Sequence, residues 1–500
     1  MLLRLSRTAG QQPALAAALV LALAALAMLR PVNHDESQYV AAAILARAAL
    51  PWRDFAYFQM PLQPLLLAPL AAAFGGFAWP GLRLVNALLA AGATIAVERA
   101  ARAGGARPTH AIAVAALFAA TDILLFSAGT ARNDALPAAA LAGALWLIAG
   151  TARGEGNARR AALIGFLLAG AVAAKISYVL PAGAYGAWAM IDRRAHRPGW
   201  VALGAAPIVA LVAWLAAQAP DAAWFEVFGF PASAPRQMYL DSRRAWKLGA
   251  AAKAIDTIKF LALGAALPAI VAVAARWRGG DRTARLVEAI ALAGLVAALL
   301  PEPTWRQYLL PALPPLFVAL ALAWTRSSPG RCERIAFVAF AVAGLAPSIE
   351  GMAAAARTGA PMTLAARDGQ RLREVMDRAG VSGPVVTLSP QYLAVAGRLP
   401  DARFAAGPFY FRSHDLLSAE DEIRFHLVSA ARFDGTQVLN PVLVGGDALA
   451  EGGDPALEAR LAKAVAARAT SIIRIDGGRF TIYVMPPLRL GCPPGSGCAE

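Results

Sequence analysis

Apolar residues along this chain fall into blocks of about 20, the length a helix needs to cross a bilayer. The blocks lie at 12–30, 80–98, 108–128, 135–150, 160–174, 176–191, 200–217, 256–275, 286–301, 307–325 and 334–350. They predict about eleven membrane-spanning helices. Leu62–Phe74 is also apolar but short, a length that suits dipping into the interface better than crossing. Beyond residue 350 the pattern changes. Val385–Leu388, Ser471–Ile475 and Phe480–Val484 read as strands, the last two joined by an Asp476-Gly477-Gly478 hairpin turn. Residues 364–379 and 455–468 read as helices. The expectation is a polytopic α-helical membrane unit over 1–350 and a soluble extracytoplasmic α/β domain over 351–500, with no internal repeat.

Composition agrees with the membrane assignment. The chain is 58% hydrophobic and 16% charged, with a mean hydropathy of +0.52. A soluble domain carries about 25% charged residues. The net charge of +15 does not point to nucleic acid, because the arginines recur between apolar blocks. One set of loops holds Arg4 and Arg7, Arg99 to Arg107, Arg153 to Arg160, Arg193 to Arg197, Arg276 to Arg285, and Arg326 to Arg334. The positive-inside rule puts these loops and the N-terminus in the cytoplasm, and residues 351–500 outside. Residues 218–255 run against this, since they should be external yet carry Arg236, Arg243, Arg244, Lys247 and Lys253. Met28-Leu29-Arg30-Pro31 is a poor cleavage site, so the first apolar block reads as a retained span. The Ala- and Arg-rich usage suggests a bacterial inner membrane. Cys332, Cys492 and Cys498 form neither a zinc ligand set nor a disulfide scaffold. Cys492 and Cys498 either close a small disulfide or lie in a free tail.

The chemistry concentrates in the outer loops. His34-Asp35-Glu36 follows the first span directly, and Ser37 to Leu50 reads as a short interfacial helix with Val40, Ile44 and Leu45 on one face. A helix start favours ionised acids, whereas burial raises their pKa, and a carboxylate balanced between the two serves as a general base. Capping by Asp35 or Ser37 is the plain alternative. The block Pro51 to Leu62, with Arg53, Asp54, Tyr57 and Gln59, is aromatic and proline-rich. It is either the wall of a substrate cavity or an interfacial aromatic belt. In the second outer loop Arg132 and Asp134 either pair with each other or face the same cavity as Asp35. Lys175 in the third loop snorkels or meets an anionic head group. Arg306 and Tyr308 in the fifth suit a phosphate, because a guanidinium binds two oxygens at once.

Absences narrow the class. There is no Walker A loop, dinucleotide fingerprint, CxxC or HExxH. A divalent metal on His34, Asp35 and Glu36 stays open, although three adjacent residues do not easily supply three ligands to one ion. The spans are nearly free of charge, Asp122 being the main exception, whereas ion-coupled transporters keep ionisable groups near the midplane. A polytopic lipid or polysaccharide transporter or flippase is therefore the alternative rather than the first reading. A scaffolding membrane protein comes third.

Together, the acidic pair after the first span, the Pro51-Trp52-Arg53-Asp54-Phe55 block, Arg132-Asn133-Asp134 and Arg306-Gln307-Tyr308-Leu309-Leu310-Pro311 resemble the GT-C glycosyltransferases. The similarity is to the protein O-mannosyltransferase and lipid A aminoarabinose transferase branch, over about the first 350 residues. It implies inverting transfer of a sugar from a polyprenyl-phosphate donor, on the outer face, to a lipid, glycan or protein hydroxyl. By that match Asp35 takes the catalytic base position with Glu36 beside it, and Asp134 takes the acidic position of the second loop. Lys175 and Arg306 match basic positions near the donor phosphate. Substrate-binding roles are also expected for His34, Arg53, Asp54, Tyr57, Gln59, Arg132 and Tyr308 in these loops. One position departs from the family pattern: Met60 stands where members often have His or Lys.

Overall fold

The computed structural model describes residues 11–486, so Arg4, Arg7, Cys492 and Cys498 lie outside the described residues. The fold is an α-helical membrane unit capped by a small α/β domain. In chain order the first nine helices are α1 (Gln11–Leu29), α2 (Glu36–Leu45), α3 (Leu62–Phe74), α4 (Ala78–Ala103), α5 (Pro108–Ala119), α6 (Asp122–Ala128), α7 (Ala135–Gly150), α8 (Ala158–Ala174) and α9 (Val179–Ile191). The further apolar helices are Pro198–Gln218, Ala250–Ala262 with Ala266–Ala275, Arg282–Leu299, Leu313–Arg326 and Arg331–Thr358. Each expected span is occupied by a helix or a bent pair of helices. By length and composition alone, five are able to cross a membrane, or up to seven if each bent pair is one span.

Small residues set the packing, as they must where lipid gives helices no hydrophobic reason to associate. Gly165 of α8 and Gly204 of the next long helix each lie against the other helix's backbone, where a Cβ would overlap main-chain atoms. Two spans are broken. The α5–α6 pair bends by 66° and the Ala250–Ala275 pair by 93°. The breaks meet: the Asp122 N–H donates to the Leu263 carbonyl at 3.0 Å. Gly264, at φ +131°, packs there on Thr121. The break between α5 and α6 thus gives the break at Leu263 a donor for a freed carbonyl, as irregular backbone within a membrane unit requires.

The helix containing the expected boundary at 350 runs on to Thr358 and ends at Gly359, whose φ of +96° only glycine adopts freely. Helices Pro361–Arg378 and Pro455–Ala466 follow as expected. The sheet holds β1 (Val386–Thr387), β2 (Val442–Val444), β3 (Ser471–Ile475) and β4 (Phe480–Val484) in the order β1-β2-β4-β3. The β3–β4 hairpin is in place, turning through Asp476, Gly477 and Gly478, all with positive φ. The sequence reading missed β2, which pairs parallel to β1 and antiparallel to β4.

This domain sits directly on the first outer loop. Glu451 forms a bridge with Asn33, with Glu451 N–H to Val32 O at 2.7 Å and His34 N–H to Glu451 O at 3.2 Å. Val40 and Ile44 of α2 share a buried cluster with Trp79, Met362 and Leu393. The helix is thus enclosed between α4 and the α/β domain rather than laid on an interface, which corrects the interfacial reading. Its apolar face found protein, not lipid.

Candidate active site

Asp35 stands at the N-cap position of α2, yet its side chain makes no cap bond. Its carboxylate instead meets His34 Nε2 at 3.0 Å on one oxygen and the Arg132 guanidinium on the other. About a quarter of the side chain (23%) is open to solvent, enough for a reacting hydroxyl to approach. Burial and the nearby Arg412 guanidinium push the His34 imidazole down to about 4, so it is neutral at physiological pH.

Glu36 is different. It is wholly buried and accepts five hydrogen bonds. These come from Asn33 N–H (3.1 Å), Trp79 Nε1 (3.2 Å), Arg83 Nε (2.8 Å), Arg83 Nη2 (2.5 Å) and Ala131 N–H (2.7 Å). A carboxylate offers about four lone-pair sites, so none is left for chemistry. Its partner Arg83, fully buried in α4, also donates to the carbonyls of Ala27, Arg30 and Pro31. The catalytic expectation for Glu36 is therefore corrected. It is a strut that joins the first outer loop, α4 and the second outer loop. Arg83 was overlooked, although a charge inside an apolar helix was the visible signal.

The second outer loop is clamped from behind. Gln63 donates to Arg132 O at 2.9 Å, and Asn86 donates to Thr130 O and Arg132 O, both at 2.7 Å. So held, Arg132 bridges two acids, Asp35 and Asp134, its Nε standing 3.0 Å from Asp134 Oδ2. The Arg132–Asp134 pair expected from the sequence is present, and the same guanidinium also meets Asp35. Asp134 is fully buried and also paired with Lys175. Burial pushes its carboxyl up, but Lys175 and Arg132 outweigh it and hold Asp134 below the usual range. Lys175 lies 5.5 Å from the ring of Tyr308. Asn133 donates to Gln59 Oε1 and to Ala174 O, both at 3.1 Å, which brings Gln59 to the cluster. Tyr57 is buried, edge-on to Tyr39 at 6.2 Å, and Tyr39 underlies Arg132 at 5.5 Å.

Arg306 pairs with buried Asp122 at 2.9 Å, so snorkelling does not describe it. Three guanidiniums gather on one ring: Arg306, Arg30 and Arg132 lie 4.2, 5.0 and 5.3 Å from the centroid of Phe126. Arg30 escaped the sequence reading. Its signal was a lone arginine at the outer end of the first span, where the positive-inside rule expects few. It is only 8% exposed, and its Nη1 has no hydrogen-bond partner among the described residues.

Three expectations fall outside this cluster. Arg53 and Asp54 bond to each other at 2.8 Å on an exposed turn, and none of their bonds reaches the cluster. Met60 is packed in apolar surroundings with Trp52, Phe58, Leu215 and Phe230. Among the described residues, no three His, Cys, Asp or Glu side chains are placed to hold a metal ion, so the His34-Asp35-Glu36 triad does not converge on one. Asp35 and Glu36 point to different partners.

The architecture is a polytopic helical membrane fold, with the charged cluster among the loops that follow α1, α6 and α8. The solved structures it matches include ArnT from Cupriavidus metallidurans. With undecaprenyl phosphate bound, that structure aligns at a TM-score of 0.60 with 13% identity, covering 95% of this chain and 98% of ArnT. The apo form gives 0.57 and 14% over the same shares. The oligosaccharyltransferase AglB from Archaeoglobus fulgidus aligns at 0.49 with 12% identity, over 97% of this chain and 75% of AglB, which is too remote to carry weight. No protein-family model and no curated protein matches this chain.

Proposed function

We propose that this chain is a membrane glycosyltransferase. It moves a sugar from a polyprenyl-phosphate donor to an acceptor hydroxyl at the outer face of a bacterial inner membrane. One observation carries the reading. Arg30, Arg132 and Arg306 gather on the ring of Phe126, and the buried Nη1 of Arg30 has no hydrogen-bond partner among the described residues. A buried donor left without a partner is costly. A phosphate oxygen of the donor supplies such a partner, and the guanidiniums around Phe126 suit its negative charge. The donor's tail stays in the bilayer, which suits a phosphate seat at the mouth of the spans.

The acceptor hydroxyl attacks the anomeric carbon opposite the phosphate, so the configuration inverts. The new C–O bond forms as the sugar–phosphate bond breaks. The hydroxyl proton passes to Asp35, whose carboxylate is paired with Arg132. The bonding pair leaves on the phosphate, where Arg30, Arg306 and Lys175 stabilise the extra charge. The test is transfer from a radiolabelled polyprenyl-phosphate sugar by the purified protein, with Asp35→Asn alongside. The expected result is wild-type transfer and none above background from a variant that inserts and folds normally. Sustained transfer by Asp35→Asn sinks the base assignment.

A second reading, translocation of a lipid without transfer, is favoured by the two broken spans meeting at Asp122, since broken helices mark many transport sites. Movement of a fluorescent polyprenyl phosphate across proteoliposomes, with no transferase activity, supports that alternative.

A further inference from the structure

Glu226 is a buried carboxyl that the proposed reaction does not use. It lies in the wide helical turn Phe225–Gly229, between the long helix Pro198–Gln218 and the helix Phe230–Asp241. Inserted turns of this kind often occur at functional places. The residue has no solvent exposure. Its neighbours Ala223, Val227 and Phe230 belong to the apolar cluster of Trp52, Phe58 and Met60. One oxygen accepts the Tyr57 N–H at 2.6 Å, and the other has no partner among the described residues. A polar group in such surroundings is expensive with a single bond, and a leucine would fill the same space more cheaply.

What that bond holds is the active-site wall. The Tyr57 carbonyl accepts from Trp52 Nε1 at 3.2 Å and from the Gln59 N–H at 2.7 Å. Gln59 then accepts from Asn133, which also grips the carbonyl preceding Lys175. The ring of Tyr57 meets Tyr39 under Arg132. Two paths, one along the backbone and one through stacked rings, thus run from Glu226 to the cluster of Arg132, Asp134 and Lys175.

We propose that Glu226 is a positioning residue: its carboxyl fixes the backbone of residues 57–59 and so sets Tyr57 and Gln59 against the second and third outer loops. The inference rests on the glycosyltransferase reading for its kinetic consequence, but not for its structural one. Burial raises the Glu226 carboxyl well above the ordinary range, with the Tyr57 N–H opposing. What the geometry asks of the side chain is an acceptor oxygen facing the Tyr57 N–H, which an amide of the same shape also supplies.

The experiment compares Glu226→Gln and Glu226→Ala in the full-length protein by hydrogen exchange and transfer kinetics. Glu226→Ala is expected to speed exchange in residues 51–60, leave the α4–α7 core protected, and lower kcat by roughly ten- to a hundred-fold, with the KM for donor changed little. Glu226→Gln, which keeps an acceptor for the Tyr57 N–H, is expected to recover most of both. Equal damage from Gln and Ala overturns the proposal in favour of a required negative charge. Unchanged exchange in Glu226→Ala overturns it outright. If the wild-type protein transfers no sugar, the functional reading fails, while the exchange result still decides whether Glu226 holds the loop.

Discussion

Replacing Glu36 by glutamine separates two roles that adjacent acids in a loop invite one to merge. The best-accommodated amide keeps its oxygen where Oε1 now accepts from Trp79, Arg83 Nε and Ala131. Its NH2 then lands where Oε2 accepts from Arg83 Nη2 and Asn33. Two acceptor contacts become donor-to-donor clashes, and Arg83, with no exposed side-chain surface, loses its only counter-ion. Breaking one side of a buried pair costs about 3–5 kcal/mol. That is a large part of the roughly 5–15 kcal/mol by which a typical fold is stable. Thermal unfolding of Glu36→Gln in detergent should therefore move far below wild type, and expression should fall with it. Asp35→Asn, partly exposed and bonded mainly to Arg132 and His34, should unfold close to wild type while losing transfer. Adding Arg83→Met to Glu36→Met should recover part of the loss, since an apolar pair removes the stranded charge, although the carbonyls of Ala27, Arg30 and Pro31 then lose their donor. A Glu36→Gln protein as stable as wild type but inactive refutes the strut assignment and returns Glu36 to the chemistry.

The remaining predictions concern the cations and the imidazole. Arg30→Met should raise the KM for a polyprenyl-phosphate donor by about tenfold, the size of one charge-assisted bond, and should cost little stability, because it removes a buried donor that has no partner among the described residues; competition by free polyprenyl phosphate measures the same loss. His34 has a folded value of about 4 against an ordinary 6.5. The unfolded chain therefore binds the proton first as pH falls, and stability declines between about pH 6.5 and pH 4, by at most about 3 kcal/mol. Unfolding of His34→Asn across that window should be flatter than wild type, and an equally steep profile would count against a buried neutral His34.

Much of this protein was legible in the chain. The spans follow from apolar length, because a bilayer leaves the backbone few alternatives. Strands β3 and β4 and their hairpin follow from alternation and a turn with two glycines. Asp35, Arg132, Asp134, Lys175 and Arg306 were legible as charges too close to hydrocarbon to be idle, and they do converge. What one dimension could not supply was partnership. Asp35 and Glu36 are neighbours with the same chemistry, and only the fold turns one toward Arg132 and buries the other under Arg83, 47 residues away. β2 was invisible because three residues carry no period; pairing on both sides makes it a strand. Arg30 read as the end of a span until Phe126 and Asp122 closed around it. Glu226 lay in a loop of unremarked polarity until packing removed its water. Sequence determined where the apolar helices fall, since that depends on local composition. Tertiary structure decided which charges meet, since a charge's energy depends on its neighbours in space.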